Sequence, residues 1–420
     1  MRKLSVTRTQ WAVGNGFFHS GVVSSGDHDL TYVFDCGALQ RNQVALRREL
    51  LEFRARTERI DVVFISHFDF DHVGSIGDLA HGMNVRRFVI PMTTAAERVL
   101  GFVRQLRRNS LAGLTGPRLD FHLRLLAMPV DTLDALRDPD ADDPEDGVLV
   151  VTPVDDDDLA AAADGVDVVP AGAIRPADVG GAAEGALQVT AGPGSLQIAC
   201  GGEHVWEWRF STSKEAQRAA PRFLRELIRT GLITSAAELE DPTVLDRLIR
   251  EERAGLTACY DTAIHAVGRS YSRNMTSLML YSGPPSGART MTYRTRAPFD
   301  ERPEITAWTP GPAWLGLGDA DLRSIARRAH VNAVFHDQKR YVGTFAPSHH
   351  GSRRDWHVDL MNGLEYRTKM PVFVLAASGA YGHPHASVVR DINARGGMAV
   401  EVNTAQRSRW TEALRVFVAP

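Results

Sequence analysis

The stretch DVVFISHFDFDHVG, Asp61 to Gly74, decides the reading of this 420-residue chain. An apolar run with the character of a β-strand, Val62 to Ser66, leads directly into His67, Asp69, Asp71 and His72. If the chain leaves the strand in a tight turn, His67 and Asp69 point to one side while Asp71 and His72 are carried to the other, so each pair can hold its own metal ion. Imidazole mixed with carboxylate is the donor set of a catalytic zinc or manganese site rather than a structural one. Gly74 lets the chain turn away beside the cluster. The bland alternative, an acidic surface turn that happens to carry histidine, does not account for so many donors at the exit of an apolar strand.

Outward from this stretch, Thr31 to Phe34 and Phe88 to Pro91 read as further strands, with a helical pattern from Val44 to Arg56 between the first two strands. That alternation predicts an α/β fold. Between Asp131 and Gly194 the text turns to Ala, Gly, Asp and Pro, including the acidic run Asp155 to Asp158, and reads as loop or insertion. Ser195 to Ala199 and Val205 to Phe210 read as a hairpin across a Gly-Gly turn. From Lys214 to Ile264 apolar residues such as Phe223, Leu224, Leu227, Ile228, Leu245, Leu248 and Ile249 recur at helical spacing. Strand character returns at Leu278 to Tyr281, Trp314 to Leu317, Tyr341 to Phe345, Val372 to Ala376, Ala399 to Val402 and Leu414 to Val418. The expected organisation is one catalytic domain from 1–130 and 265–420, interrupted by an insertion at 131–264 that is loop-rich at 131–194, a hairpin at 195–210 and helical at 214–264.

The HxDxDH stretch resembles the signature loop of the metallo-β-lactamase superfamily, usually HxHxDH, with Asp69 in place of the middle histidine. That departure resembles the metallo-β-lactamase domain of ComEC-type competence proteins. Other segments resemble the same subgroup in order: VGNG at Val13 to Gly16, the strand ending at Asp35, NMTS from Asn274 to Ser277, LGD from Leu317 to Asp319, SHHGS from Ser348 to Ser352, and YGHPH from Tyr381 to His385. The resemblance implies a metallo-β-lactamase αββα sandwich with a helical insertion, and two divalent metal ions, zinc first and manganese as the alternative. It implies His67, Asp69, Asp71, His72 and a bridging Asp319 as ligands. No histidine between His81 and His265 suits the family's usual third ligand of the first metal, so His349 is assigned that place and His383 the third place on the second metal. His350 and His385, with Asp71, are then the groups that orient ligands or move protons. Of the adjacent pair His349 and His350, only one faces the site if the chain there is extended.

Each of these pieces has a plainer reading: Asp319 as a helix N-cap, His349 and His350 as one buried and one exposed ring, His383 and His385 as surface residues of a turn. His19 lies close to VGNG and is kept in view. Two metals sharing a bridging hydroxide would draw the pKa of water from about 15.7 toward about 7 and hydrolyse a substrate with no protein nucleophile. The chain carries neither GxSxG nor GxxxxGK[ST]. The expected activity is that of a two-metal phosphodiesterase or nuclease acting on nucleic acid or a nucleotide. The competing classes are a hydrolase of acyl, thioester or lactam compounds and a catalytically silent partner-binding module. Arg86, Arg87, Arg104, Arg107, Arg108, Arg353 and Arg354 are candidates for a phosphate track, or else solvated helix faces and salt bridges.

A net charge of −3 supplies no global attraction to a polyanion, so phosphate recognition must be local. The three cysteines, Cys36, Cys200 and Cys259, are too far apart for a CxxC zinc site and make no disulfide framework. MRKLSVTRTQWAVGNG holds no apolar core of signal-peptide length, and no run of about 18 apolar residues occurs anywhere. A cytoplasmic protein without a membrane span is expected, with the helical insertion available to a protein partner.

Overall fold

The computed structural model describes residues 1–108, 111, 113–137, 147–152, 187–192, 194–212, 219–267, 276–295, 311–365, 369–377 and 382–419. Its strands in chain order are β1 (Arg2–Gln10), β2 (Phe18–Ser25), β3 (His28–Cys36), β4 (Arg59–Phe64), β5 (Asn84–Pro91), β6 (Gly147–Val151), β7 (Leu187–Gly192) and β8 (Ser195–Cys200), followed by β9 (Glu203–Ser211), β10 (Met279–Gly283), β11 (Arg289–Thr295), β12 (Ala313–Gly316), β13 (Val342–Ala346), β14 (Val372–Ala376), β15 (Met398–Val402) and β16 (Trp410–Ala419). Among the described residues these build two sheets, ordered β11-β16-β1-β2-β3-β4-β5-β6 and β15-β14-β13-β12-β10-β9-β8-β7. Within each sheet one half is parallel, β3 to β6 in the first and β12 to β15 in the second. The rest is antiparallel.

The burial of each strand follows from its neighbours. Near its start β1 alternates, Leu4 and Val6 turned to the core and Lys3 and Ser5 outward, whereas the parallel β4 is buried at every residue from Ile60 to Phe64. Tyr32, Phe34, Phe64, Trp208 and Trp314 fill the space between the sheets, each contributing on the order of 1.5–3 kcal/mol by leaving water. That same layer holds a buried ion pair, Arg8 to Glu412 at 2.9 Å, with Thr344 Oγ1 donating to the same carboxylate at 2.7 Å.

Helices cover both outer faces, completing an αββα sandwich. On the first sheet lie α1 (Gln43–Arg54), α2 (Phe70–Val73), α3 (Ile76–Ala80), α4 (Ala95–Arg107), α5 (Gly116–Ala127), α6 (Pro129–Asp134), α7 (Ala219–Arg229), α8 (Pro242–Arg250) and α9 (Arg253–Val267), which share one apolar cluster. On the second lie α10 (Ile325–Val334) and α11 (Ala386–Ala394), packed in another. The helices expected at 214–264 are α7 to α9, seated on α4 and α5. The stretch expected as loop from Asp131 to Gly194 supplies β6 and β7, an edge strand of each sheet. The hairpin 195–210 is β8 and β9, turning at Gly201 and Gly202, and β9 pairs with β10 inside the second sheet. The Asp155 to Asp158 run, Asn274, Met275 and Tyr381 lie outside the described residues. No helix among the described residues is long and apolar enough to cross a membrane.

The parallel halves matter most for function. The carboxyl ends of β3, β4, β12, β13 and β14 deliver Asp35, His67, Asp319, His349 and the segment leading to His383, at the edge where open α/β sheets bind ligands.

Candidate metal centre

The loop after β4 is tied to the end of β3. Asp35 adopts φ 57°, an uncommon conformation for a non-glycine residue, and aims its carboxylate at that loop. It accepts from Ser66 N at 2.7 Å, from Ser66 Oγ at 2.6 Å and from His72 Nδ1 at 2.8 Å. Because the Ser66 hydroxyl spends its proton on Asp35, it accepts from His67 Nδ1 at 2.9 Å. Both rings therefore carry their protons on Nδ1, which leaves Nε2 of each as the basic atom turned toward Asp319, 3.8 Å from His67 and 3.5 Å from His72. His72 Nε2 is buried and has no hydrogen-bond partner among the described residues.

The segment beginning with VGNG supports the same loop from behind. Phe17 N donates to Asp71 O at 3.1 Å, and the Phe17 ring stacks on His72 with an interplanar angle of 5°. A Cβ on Gly37 would stand 2.6 Å from the backbone of Asp71 and His72, so that position admits no side chain. His19 lies elsewhere, stacked on Trp314 between the sheets.

Asp319 is the hub. Its backbone N donates to Ser277 Oγ at 3.1 Å, and its Oδ2 lies 3.2 Å from His349 Nε2 while its Oδ1 lies 3.8 Å from His350 Nε2. It caps no helix among the described residues; the cap of α10 is Ser324, whose side chain accepts from Arg327 N. The neighbouring histidines both reach Asp319 because the chain there is not extended: φ is 48° at His349, 56° at His350 and 81° at Gly351. Three successive left-handed residues curl the pair around the carboxylate, which the assumption of an extended chain had excluded. His349 Nδ1 in turn lies 3.1 Å from Asp355 Oδ2.

Two overlapping triplets result, His67 with His72 and Asp319, and Asp71 with His72 and His350, each with its candidate ligand atoms within 4.8 Å of one another. The donor chemistry, imidazole nitrogen with carboxylate oxygen, fits a zinc or manganese ion. Asp69 belongs to neither triplet: Arg104 pairs with its Oδ2, and Gln105 Nε2 donates to its Oδ1 at 3.0 Å. His383 is half-buried near His349 and His385. His385 caps α11, its Nδ1 accepting from Ser387 N at 3.2 Å.

The electrostatics are those of a site built around positive charge. Burial opposes protonation of His72 and His349, yet Asp319 with Asp35 and Asp319 with Asp355 outweigh it and raise both. Burial likewise pushes Asp319 up, but His349, His72 and His67 hold it well below the usual carboxylate range. Burial, with His72, His349 and His383 nearby, brings His350 down to about 3 and keeps its ring neutral. Burial raises Asp71, with Asp69 and Asp319 adding to the effect. Binding a divalent cation would displace the protons that the carboxylates now hold on His72 and His349.

Residues 16–194 match the family model of the metallo-beta-lactamase superfamily. The matched span contains His67, Asp69, Asp71 and His72, while Asp319, His349, His350 and His383 lie beyond it. The αββα layering is that of the metallo-β-lactamase fold. Among solved structures, a long-form RNase Z from yeast is similar over 89% of this chain and 36% of that chain, at 7% identity and a TM-score of 0.31. The chain thus spans about a third of the length of that protein. No curated protein matches the sequence.

Sequence reasoning gave no role to Ser66, Ser277, Gln105 and Asp355: the first three are not metal-type donors, and Asp355 stands in no recognisable spacing. Asp355 lies six residues beyond His349, and only the left-handed turn between them brings it back to that ring. Of the candidate arginines, Arg104 is buried against Asp69, Arg87 is buried in β5, Arg107 pairs with Asp261, and Arg353 and Arg354 are exposed on the loop between His350 and Asp355.

Proposed function

We propose that the protein is a two-metal-dependent hydrolase of phosphodiesters, a nuclease or nucleotide phosphodiesterase. The observation that carries the reading is the pair of overlapping triplets that share His72 and flank Asp319. In this reading His67, Asp319 and His349 would hold one ion, and Asp71, His72 and His350 would hold the other. His350 thereby takes the place that sequence reasoning gave to His383. Bound zinc or manganese would supply Lewis acidity and lower the pKa of a water molecule.

The chain's own groups do the rest. Asp35 and Asp355 fix the tautomers and orientations of His72 and His349, which sharpens their basicity as ligands. His383, half-buried beside His349 and kept neutral chiefly by that burial, is the group we assign to accept the proton that the attacking water gives up. The choice of phosphodiester rests on the resemblance of the HxDxDH stretch to ComEC-type domains and on Arg353 and Arg354, which stand exposed on the loop between His350 and Asp355.

The test is a substrate panel with zinc- or manganese-loaded protein: bis-p-nitrophenyl phosphate, labelled single-stranded DNA and RNA, cyclic nucleotides, a chromogenic lactam and a thioester. Metal-dependent cleavage of phosphodiesters alone is expected. Turnover of the lactam or thioester without phosphodiester cleavage would overturn the substrate class.

A further inference from the structure

We propose that Asp69 serves in the working protein as a positioning residue, locked to Arg104 and Gln105 of α4, and is not a metal ligand. The inference rests on the metal reading above and refines it, since the sequence alone assigned Asp69 to the same ion as His67.

The face of α4 that meets Asp69 is shaped for a carboxylate. Gly101, Arg104 and Gln105 stand three and four residues apart and so share one side of the helix. A Cβ on Gly101 would come within 3.1 Å of Asp69 Oδ1, so glycine permits the close approach. Arg104 pairs with Asp69 Oδ2, and Gln105 Nε2 donates to Oδ1 at 3.0 Å. The other end of the Gln105 amide, Oε1, accepts from Phe70 N at 3.0 Å, so the glutamine is held in the orientation that serves Asp69. Arg104, Gln105 and Asp69 are all buried. Asp69 stands at the N-terminus of α2 yet makes no side-chain cap there; its carboxylate turns to α4 instead.

Charge balance points the same way. An aspartate where a neutral histidine would stand adds a negative charge beside His67, and Arg104 cancels it on the spot. Were Asp69 given over to a metal ion, Arg104 would be left buried with its countercharge shared, next to a divalent cation. Asp69 and Arg104 together thus act as one neutral unit that pins the loop carrying Asp71 and His72 against α4.

The test is a cycle of D69N, R104M and D69N/R104M with R104K as the conservative control, each checked for folding by circular dichroism. Zinc affinity is read by competition with a chromophoric chelator, and ion count by mass spectrometry. R104K is expected to stay near wild type, whereas D69N, R104M and the double variant should each weaken zinc binding by a similar amount, about three- to tenfold, because each breaks the same unit. D69N should keep both ions at saturating zinc, whereas D71N should lose one. A D69N that loses an ion as D71N does, or that binds about a hundredfold more weakly while R104M stays at wild type, would overturn the inference and make Asp69 a ligand. Should R104M fail to fold, the ion counts of D69N and D71N decide alone. Wild-type protein that takes up no divalent ion defeats the metal reading and this inference with it, a result distinct from either outcome above.

Discussion

Replacing Asp35 with asparagine isolates the part of the centre that no metal touches. The side chain is fully buried, and its two oxygens accept three hydrogen bonds, from Ser66 N, Ser66 Oγ and His72 Nδ1, at 2.7, 2.6 and 2.8 Å. Asparagine has the same shape and tolerates the left-handed backbone at φ 57°, so the fold should survive. With its oxygen kept toward Ser66 N, the new amide NH₂ faces Ser66 Oγ and His72 Nδ1. The hydroxyl can rotate to accept. His72 can accept at Nδ1 only by moving its proton to Nε2, which blocks the lone pair that would bind metal. Losing a charge-assisted hydrogen bond costs about 1.5–3 kcal/mol, and at about 1.4 kcal/mol per decade that weakens metal binding roughly ten- to a hundredfold. Chelator competition measures the affinity, and long-range nitrogen–proton correlation of the His72 ring reports the tautomer. A D35N protein that binds zinc within about threefold of wild type, with the proton still on Nδ1, would refute the reasoning.

Gly37→Ala should drive a methyl into the backbone of Asp71 and His72, costing about 1–3 kcal/mol and lowering ion content; thermal unfolding and metal counting check it, and an unchanged protein would contradict the close approach. His122, wedged between Phe70 and Phe102 with both ring nitrogens buried and without a hydrogen-bond partner among the described residues, is brought by burial down to about 4. Its unfolded value is about 6.5, so the unfolded chain takes the proton first and stability, complete above pH 6.5, falls by about 3 kcal/mol as pH drops to 4. His122→Phe should flatten that limb of a denaturation series taken against pH. In the layer between the sheets, Arg8→Met should cost about 3–5 kcal/mol by stranding Glu412, while Arg8→Met with Glu412→Leu should recover most of it; chemical denaturation reads both.

The sequence discloses those parts of the fold in which local pattern and tertiary context agree. The apolar run before His67, the helix at 43–54 and the strands leading to Asp319 and His349 carry their burial in their composition. Edge strands do not: β6 leaves Val148 and Leu149 only partly buried and Val150 exposed, and its alanine- and aspartate-rich surroundings hide it. At the centre, residue types were legible and roles were not. Asp69 reads as a ligand in the sequence, and its contacts with Arg104 and Gln105 are hidden there because those residues lie 35 and 36 positions away on a helix with no metal-type spacing. His349 and His350 read as alternatives because sequence does not reveal three consecutive left-handed residues, two of them not glycine.

The central claim is that His67, Asp319 and His349 hold one divalent ion and Asp71, His72 and His350 hold a second. Its most direct test is a mass-spectrometric ion count on zinc-reconstituted protein, stripped of loosely held metal, for wild type beside His72→Ala. The account predicts about two ions per wild-type chain and about one in the variant, with the circular dichroism spectrum unchanged. Wild type without bound zinc, or a variant that still holds two ions, would contradict it.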